Sequence, residues 1–165
     1  MKLFLSTLTF SILLTACSSQ NAFSKFDMDK QQELSISNSQ TSKIKHNNAV
    51  DGIFSAIYLN GIDSRLYSDN EYFYVSMYIK DLKSLSDEEY VESMRSSLTL
   101  NAKTAIDIEQ LPHANKFSNL TSVNNKWNKY FLVIFKKDAQ ESIKKLHLLF
   151  KKGNSSSEVL AYPKR

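Results

Sequence analysis

Nucleophiles, general bases and metal ligands come mainly from Cys, His and carboxylate side chains, and this chain holds few at useful spacing. It has 1 Cys, Cys17, and 3 His, namely His46, His113 and His147, each isolated from the others. No HExxH, HxH or Cys/His spacing occurs, so no metal site and no cofactor is expected. There is no GxSxG motif, and the 3 Gly, at 52, 61 and 153, lie too far apart to cradle a phosphate. Glu88 and Glu89 are adjacent, and adjacent residues of a helix point in different directions, so they do not make an acid/base pair. No catalytic residue is expected. Two patterns suit binding. Tyr72, Tyr74 and Tyr78 alternate along one face of an extended segment and can offer aromatic rings to a partner or a sugar chain. The pairs Lys136-Lys137, Lys144-Lys145 and Lys151-Lys152 stand at strand ends, where folding can gather them into a basic rim for anionic head groups or polymers.

The cysteine stands in a distinctive context. Met1-Lys2 is followed by the 12-residue run Leu3 to Leu14, in which Leu, Phe and Ile dominate. That run is too short to cross a hydrocarbon core of about 30 Å as a permanent helix, and it has the short apolar h-region of a secretory signal. Leu14-Thr15-Ala16-Cys17 then resembles the lipobox of bacterial lipoproteins: an apolar residue, two small residues and a cysteine. The resemblance implies a signal peptide over residues 1–16, cleaved between Ala16 and Cys17. It also implies a diacylglycerol on the Cys17 sulfur and an acyl chain on the new amine. Two or more acyl chains hold a protein on a bilayer persistently, whereas one does so only marginally. Ser18, in place of Asp after the cysteine, resembles an outer-membrane sorting signal, which implies a domain in the periplasm. The whole chain is also loosely similar to small proteobacterial lipoproteins with Ig-like modules.

These residues need elements to position them. Residues 17–48 are rich in Ser, Gln, Lys and Asn without a sustained apolar period, which reads as a lipidated N-terminus and polar tether, with Glu33 to Ser37 alternating briefly as an edge strand. Residues 49–165 form the folded domain. Phe73, Val75, Met77 and Ile79 alternate with the tyrosine stripe, the period of a strand. Gly52 to Leu59, Leu98 to Asn101, Ala105 to Ile108, Tyr130 to Phe135, Leu146 to Phe150 and Glu158 to Tyr162 read likewise, with Lys151 to Asn154 as a hairpin turn. Ser86 with Glu89 matches a capping box and predicts one short helix over 87–96. The fold class is therefore mainly β, an antiparallel two-sheet sandwich, Ig-like or alternatively transthyretin-like.

Composition narrows the function. With 165 residues, 42% hydrophobic, 10 Phe and 8 Tyr, the chain has the apolar content of a single globular domain. The pI of about 9.0 rests on lysine, since Arg65, Arg95 and Arg165 are the only arginines; arginine is the residue suited to phosphate and base recognition, so no nucleic-acid partner is expected. The expectation is a non-catalytic cell-envelope lipoprotein, bound to the bilayer through Cys17, that contacts another protein or an envelope polymer. An envelope hydrolase, needing His113 to converge with Asp107 or Glu109, or an accessory lipoprotein of a secretion apparatus is the alternative.

Overall fold

Tyr72 to Ile79 shows why strands dominate: alternate side chains go to opposite faces, and here both faces are apolar enough to be covered. The computed structural model describes residues 30–82, 84–121, 125–138 and 143–165. Its elements are α1 (Lys30–Ser37), β1 (Ser39–His46), β2 (Ala49–Tyr58), β3 (Asn70–Ile79), α2 (Asp87–Ser97), β4 (Leu98–Leu100), β5 (Lys103–Thr104), β6 (Asp107–Leu111), β7 (Lys129–Lys136), β8 (Lys145–Lys152), β9 (Ser155–Ser156) and β10 (Leu160–Pro163). The lipobox and signal segment lie outside the described residues.

All strand pairs are antiparallel, in the order β5-β4-β8-β9-β1-β2-β3-β7-β6, with β10 paired to the free part of β8. In place of the two separate sheets expected, one continuous sheet curls into an open half-barrel. The reason is β9. Two residues long, it pairs with β8 on one side and β1 on the other, and so keeps the ladder unbroken across the curl. The two edges, β5 and β6, are joined by Ala105 and Ile106 alone, a span of at most about 10 Å, which limits how far they part at that point.

The concave face holds the main core. Phe54, Phe73, Phe131 and Phe150 are fully buried there with Met77, Leu148 and Tyr162. Tyr58 donates to Glu71 Oε2 at 2.6 Å, and Tyr162 donates to the Ala56 carbonyl at 2.7 Å, so these hydroxyls enter the core with partners. Helix α2 packs against β6 and β8, with Tyr90 stacked on Phe131 at 5.6 Å. Its capping box is formed as the spacing predicts: Ser86 Oγ accepts from the Glu89 amide, and Glu89 accepts from the Ser86 amide at 2.9 Å.

The expected tether must be corrected from Lys30 onward. Glu33 to Ser37 is helix, not edge strand, because local bonds close the last turn: Asn38 Nδ2 donates to Leu34 O at 2.8 Å and Ser37 Oγ to Glu33 O at 2.9 Å. Strand β1 follows although only Ser42 and Ile44 of it are buried. Its place is set by the ladder to β2 and by polar contacts that periodicity does not register, among them Ala161 N–H to Gln40 Oε1 at 3.0 Å. The helix count is correspondingly two among the described residues.

Candidate functional site

The convex face of β2, β3 and β7 carries the tyrosine stripe, and the structure divides it into a covered half and an open half. In the covered half, Ile57 faces Tyr74 across the β2–β3 ladder. The segment 112–121 lies over them: Phe117 packs on Tyr74 at 5.2 Å, and Tyr130 stacks on it at 6.0 Å. Leu111 and Leu120 complete this second cluster. Helix α1 holds the cover in place, because the buried Ser35 hydroxyl donates to the Leu120 carbonyl. Burial pushes the Tyr74 phenol above its ordinary range, a shift opposed by the Asn115 side chain at 3.4 Å.

In the open half, Ile53 faces Tyr78 in the same ladder, and nothing described lies over them. Ile53 is 48% exposed, and Trp127, beside them, is 60% exposed. Together with Asn125 and Asn128 they line a groove of about 440 Å³. A smaller groove of about 170 Å³ runs along the other side of Trp127, lined also by Ile79, Tyr90, Lys126 and Lys129.

The wall carrying Trp127 is a tied turn. Asn125 Oδ1 accepts from the Trp127 amide at 2.9 Å, and the Tyr130 hydroxyl both receives from the Asn125 amide and donates to its carbonyl, at 2.8 and 2.9 Å. Lys126 lies 5.5 Å from the Trp127 ring centre, and Lys129 is paired to Asp87 at 2.6 Å. That ion pair holds the Asp87 carboxyl below its usual range. Tyr90 presents its buried hydroxyl without a hydrogen-bond partner, and burial pushes that phenol well above its ordinary value. Flat aromatic rings flanked by two amide side chains can stack on one face of a ring-shaped ligand and hydrogen-bond to hydroxyls at its rim. Among the described residues, neither groove beside Trp127 is lined by a histidine, a carboxylate or a thiol.

The residues singled out by sequence are thus separated. Tyr78 enters the groove, Tyr74 is core, and Tyr72 is half-buried against Tyr67 at 5.2 Å. The six lysines do not form one rim. Lys144-Lys145 and Lys151-Lys152 stand at opposite ends of β8, about 23 Å apart. Lys136-Lys137 share an end with Lys144-Lys145, because β8 runs parallel to β1 through β9 and Lys136 pairs with Asn70 at the start of β3. Ala16 and Cys17 lie outside the described residues.

His113 packs edge-on against Tyr130 at 5.7 Å. His147 is exposed on β8. His46 hydrogen-bonds Ser155 Oγ through Nδ1 at 3.0 Å, as facing residues of the β1–β9 ladder. His46 and Asp51 line a separate groove of about 260 Å³, where the buried Oδ2 of Asp51 has no hydrogen-bond partner. No group of three His, Cys, Asp or Glu able to hold a metal occurs among the described residues. Sequence reasoning missed Trp127 and Ile53 as partners of Tyr78. A lone Trp in a polar loop was the available signal, since a large ring in such a loop has no obvious core to enter.

No protein-family model, no curated protein and no solved structure matches this chain significantly. Among the described residues no helix is long and apolar enough to cross a membrane.

Proposed function

We infer that the protein is a membrane-anchored envelope lipoprotein whose curled sheet is a non-catalytic binding module for an envelope glycan strand. The observation that carries the binding part is the open aromatic groove, with Trp127 and Tyr78 side by side and Asn125 and Asn128 at its rim. The anchor is supported by Leu14-Thr15-Ala16-Cys17 and the apolar run before it. On this reading the lipid keeps the module within reach of a large, immobile polymer, so modest affinity at one groove suffices.

Trp127 is the only Trp in the chain, so its fluorescence reports on the groove without labelling. Titration with soluble peptidoglycan fragments is expected to shift its emission, and Tyr78→Ala to weaken the interaction about tenfold or more. Unchanged emission together with no retention on insoluble peptidoglycan refutes the glycan reading. The anchor is read separately: Cys17→Ala is expected to abolish palmitate labelling and leave an uncleaved precursor, and labelling that persists refutes it.

A further inference from the structure

The geometry points to a membrane-facing end of the domain: the end carrying Lys136, Lys137, Lys144 and Lys145 lies against an anionic phospholipid surface. Three independent placements meet there. First, the register brings both lysine pairs to the end where β1 begins: Lys136 faces Asn70, and Lys145 faces Pro163 of β10, whose Ala161 is tied to Gln40 of β1. Second, the described residues begin at this same end. Lys30 lines a groove with Ile62, Asp63 and Arg65 in the loop joining β2 to β3, and Lys137 Nζ donates to Ser68 O of that loop at 3.1 Å. Third, this end carries exposed apolar side chains among its cations. Leu66, beside Arg65 in the loop, is 74% exposed, and Ile106, in the link between β5 and β6, is 52% exposed.

Cations beside protruding apolar side chains are the composition of a surface that settles at a bilayer interface: the charge is drawn to anionic head groups and the apolar chains enter the boundary region. The carboxylates at this end do not reverse its sign. Among the described residues, Asp63 is paired with Arg65 at 3.5 Å, Asp138 is paired with Lys103 at 2.7 Å, and Glu71 is buried and accepts from Tyr58; Asp69 and Asp107 then stand against four exposed or half-exposed lysines and Arg165. The opposite end, with Lys151 and Lys152, carries the Trp127 grooves, because Lys129 and Met77 pair at that end of β7 and β3. One end against lipid therefore leaves the aromatic groove pointing away from it.

This orientation rests on the anchored reading. Cys17 stands thirteen residues before Lys30, so an anchored chain keeps Lys30 within about 45 Å of the bilayer. The test uses the full chain purified from membranes and reconstituted into phosphatidylcholine vesicles with or without phosphatidylglycerol. Intact mass reads the lipid on Cys17, and amine acylation followed by mass spectrometry reads each lysine. Lys136, Lys137, Lys144 and Lys145 are expected to be acylated about fivefold less on the anionic vesicles, with Lys151 and Lys152 equal on both. Changing the four lysines to Glu, all at surface positions, is expected to abolish the difference that Lys164 and Lys103 still report. Acylated Cys17 with equal labelling at both ends overturns the orientation alone, as does protection of Lys151 and Lys152 instead. An unmodified Cys17 overturns the anchored reading and the orientation with it. Protection in intact cells but on neither vesicle assigns the surface to an acidic polymer or protein and also overturns it.

Discussion

Ile57 with Tyr74 and Ile53 with Tyr78 are two cross-strand pairs of the same composition, on the same face of the same two strands, four residues apart. One is core: Ile57 is 5% and Tyr74 2% exposed. The other lines an open groove, with Ile53 at 48%. Residue types and strand pairing are the same for both, so the difference comes from what packs over each pair. Segment 112–121 and helix α1 reach only as far as the first pair. On the proposed reading, the binding face is therefore not a special kind of strand but the part of an apolar sheet face that the described residues leave uncovered.

The sharpest way to break this comparison is to truncate both tyrosines. Tyr74→Ala removes a ring packed between Phe117 and Tyr130 and is expected to cost about 3–5 kcal/mol, the range for emptying a buried aromatic site. Tyr78→Ala, half-buried at the groove wall, is expected to cost about 1 kcal/mol. Urea denaturation of the two variants checks the gap. Equal losses mean that the two halves are covered alike in solution.

That gap also marks how far the sequence could be read. The period-two pattern of Phe73 to Ile79 and the Ser86–Glu89 spacing are local signals, and β3 and α2 form where those signals place them. The continuous curl depends on Ser155 and Ser156 bridging β8 and β1, a contact made by backbone groups that leave no side-chain pattern. Strand β1 was illegible for a different reason: polar side chains such as Gln40 and Thr41 are placed by cross-strand hydrogen bonds, which apolar periodicity does not register. The site was half legible. The tyrosine stripe names the face that carries the groove, but which tyrosine stays open is decided by Phe117, Leu120 and Ser35, distant in sequence from all three rings.

Alkaline pH probes the covered pair by titration. The Tyr74 phenol is held above its ordinary value, chiefly by burial, so the fold favours its neutral form. A group whose folded pKa is raised contributes stability that is complete below its unfolded value, about pH 10 for Tyr, and that is lost as pH rises toward the folded value. Within that window the loss is up to about 1.4 kcal/mol per pH unit for each such tyrosine. The buried Tyr58, Tyr90 and Tyr162 are raised in the same direction and add to the slope. Urea midpoints measured through this range are expected to fall, and Tyr74→Phe to fall less steeply. Parallel slopes for the variant and the parent remove Tyr74 from the account.

A smaller effect tests what holds the cover down. Ser35→Ala deletes the hydroxyl that donates to the Leu120 carbonyl and leaves that buried acceptor unpaired, at a cost of about 1–2 kcal/mol. Hydrogen exchange should accelerate at the Leu120 amide, which bonds Phe117 O at 2.9 Å, more than along β3. A loss of stability with unchanged exchange at Leu120 means that α1 does not latch the segment.

The smallest effect is the most informative about the open half. Ile53→Thr keeps a β-branched side chain in a central strand and replaces one methyl-bearing arm by a hydroxyl that water can reach. In an open groove that exchange is expected to change stability by no more than about 0.5 kcal/mol, read from urea midpoints at low protein concentration. The same exchange at a covered position would bury an unsatisfied hydroxyl and cost about 1–3 kcal/mol. A loss of that size at Ile53 would mean that something covers the groove in the free protein. Repeating the measurement over a range of concentrations then separates the two covers: a loss that shrinks on dilution identifies a second copy of the chain, and a constant one identifies a segment of the same chain.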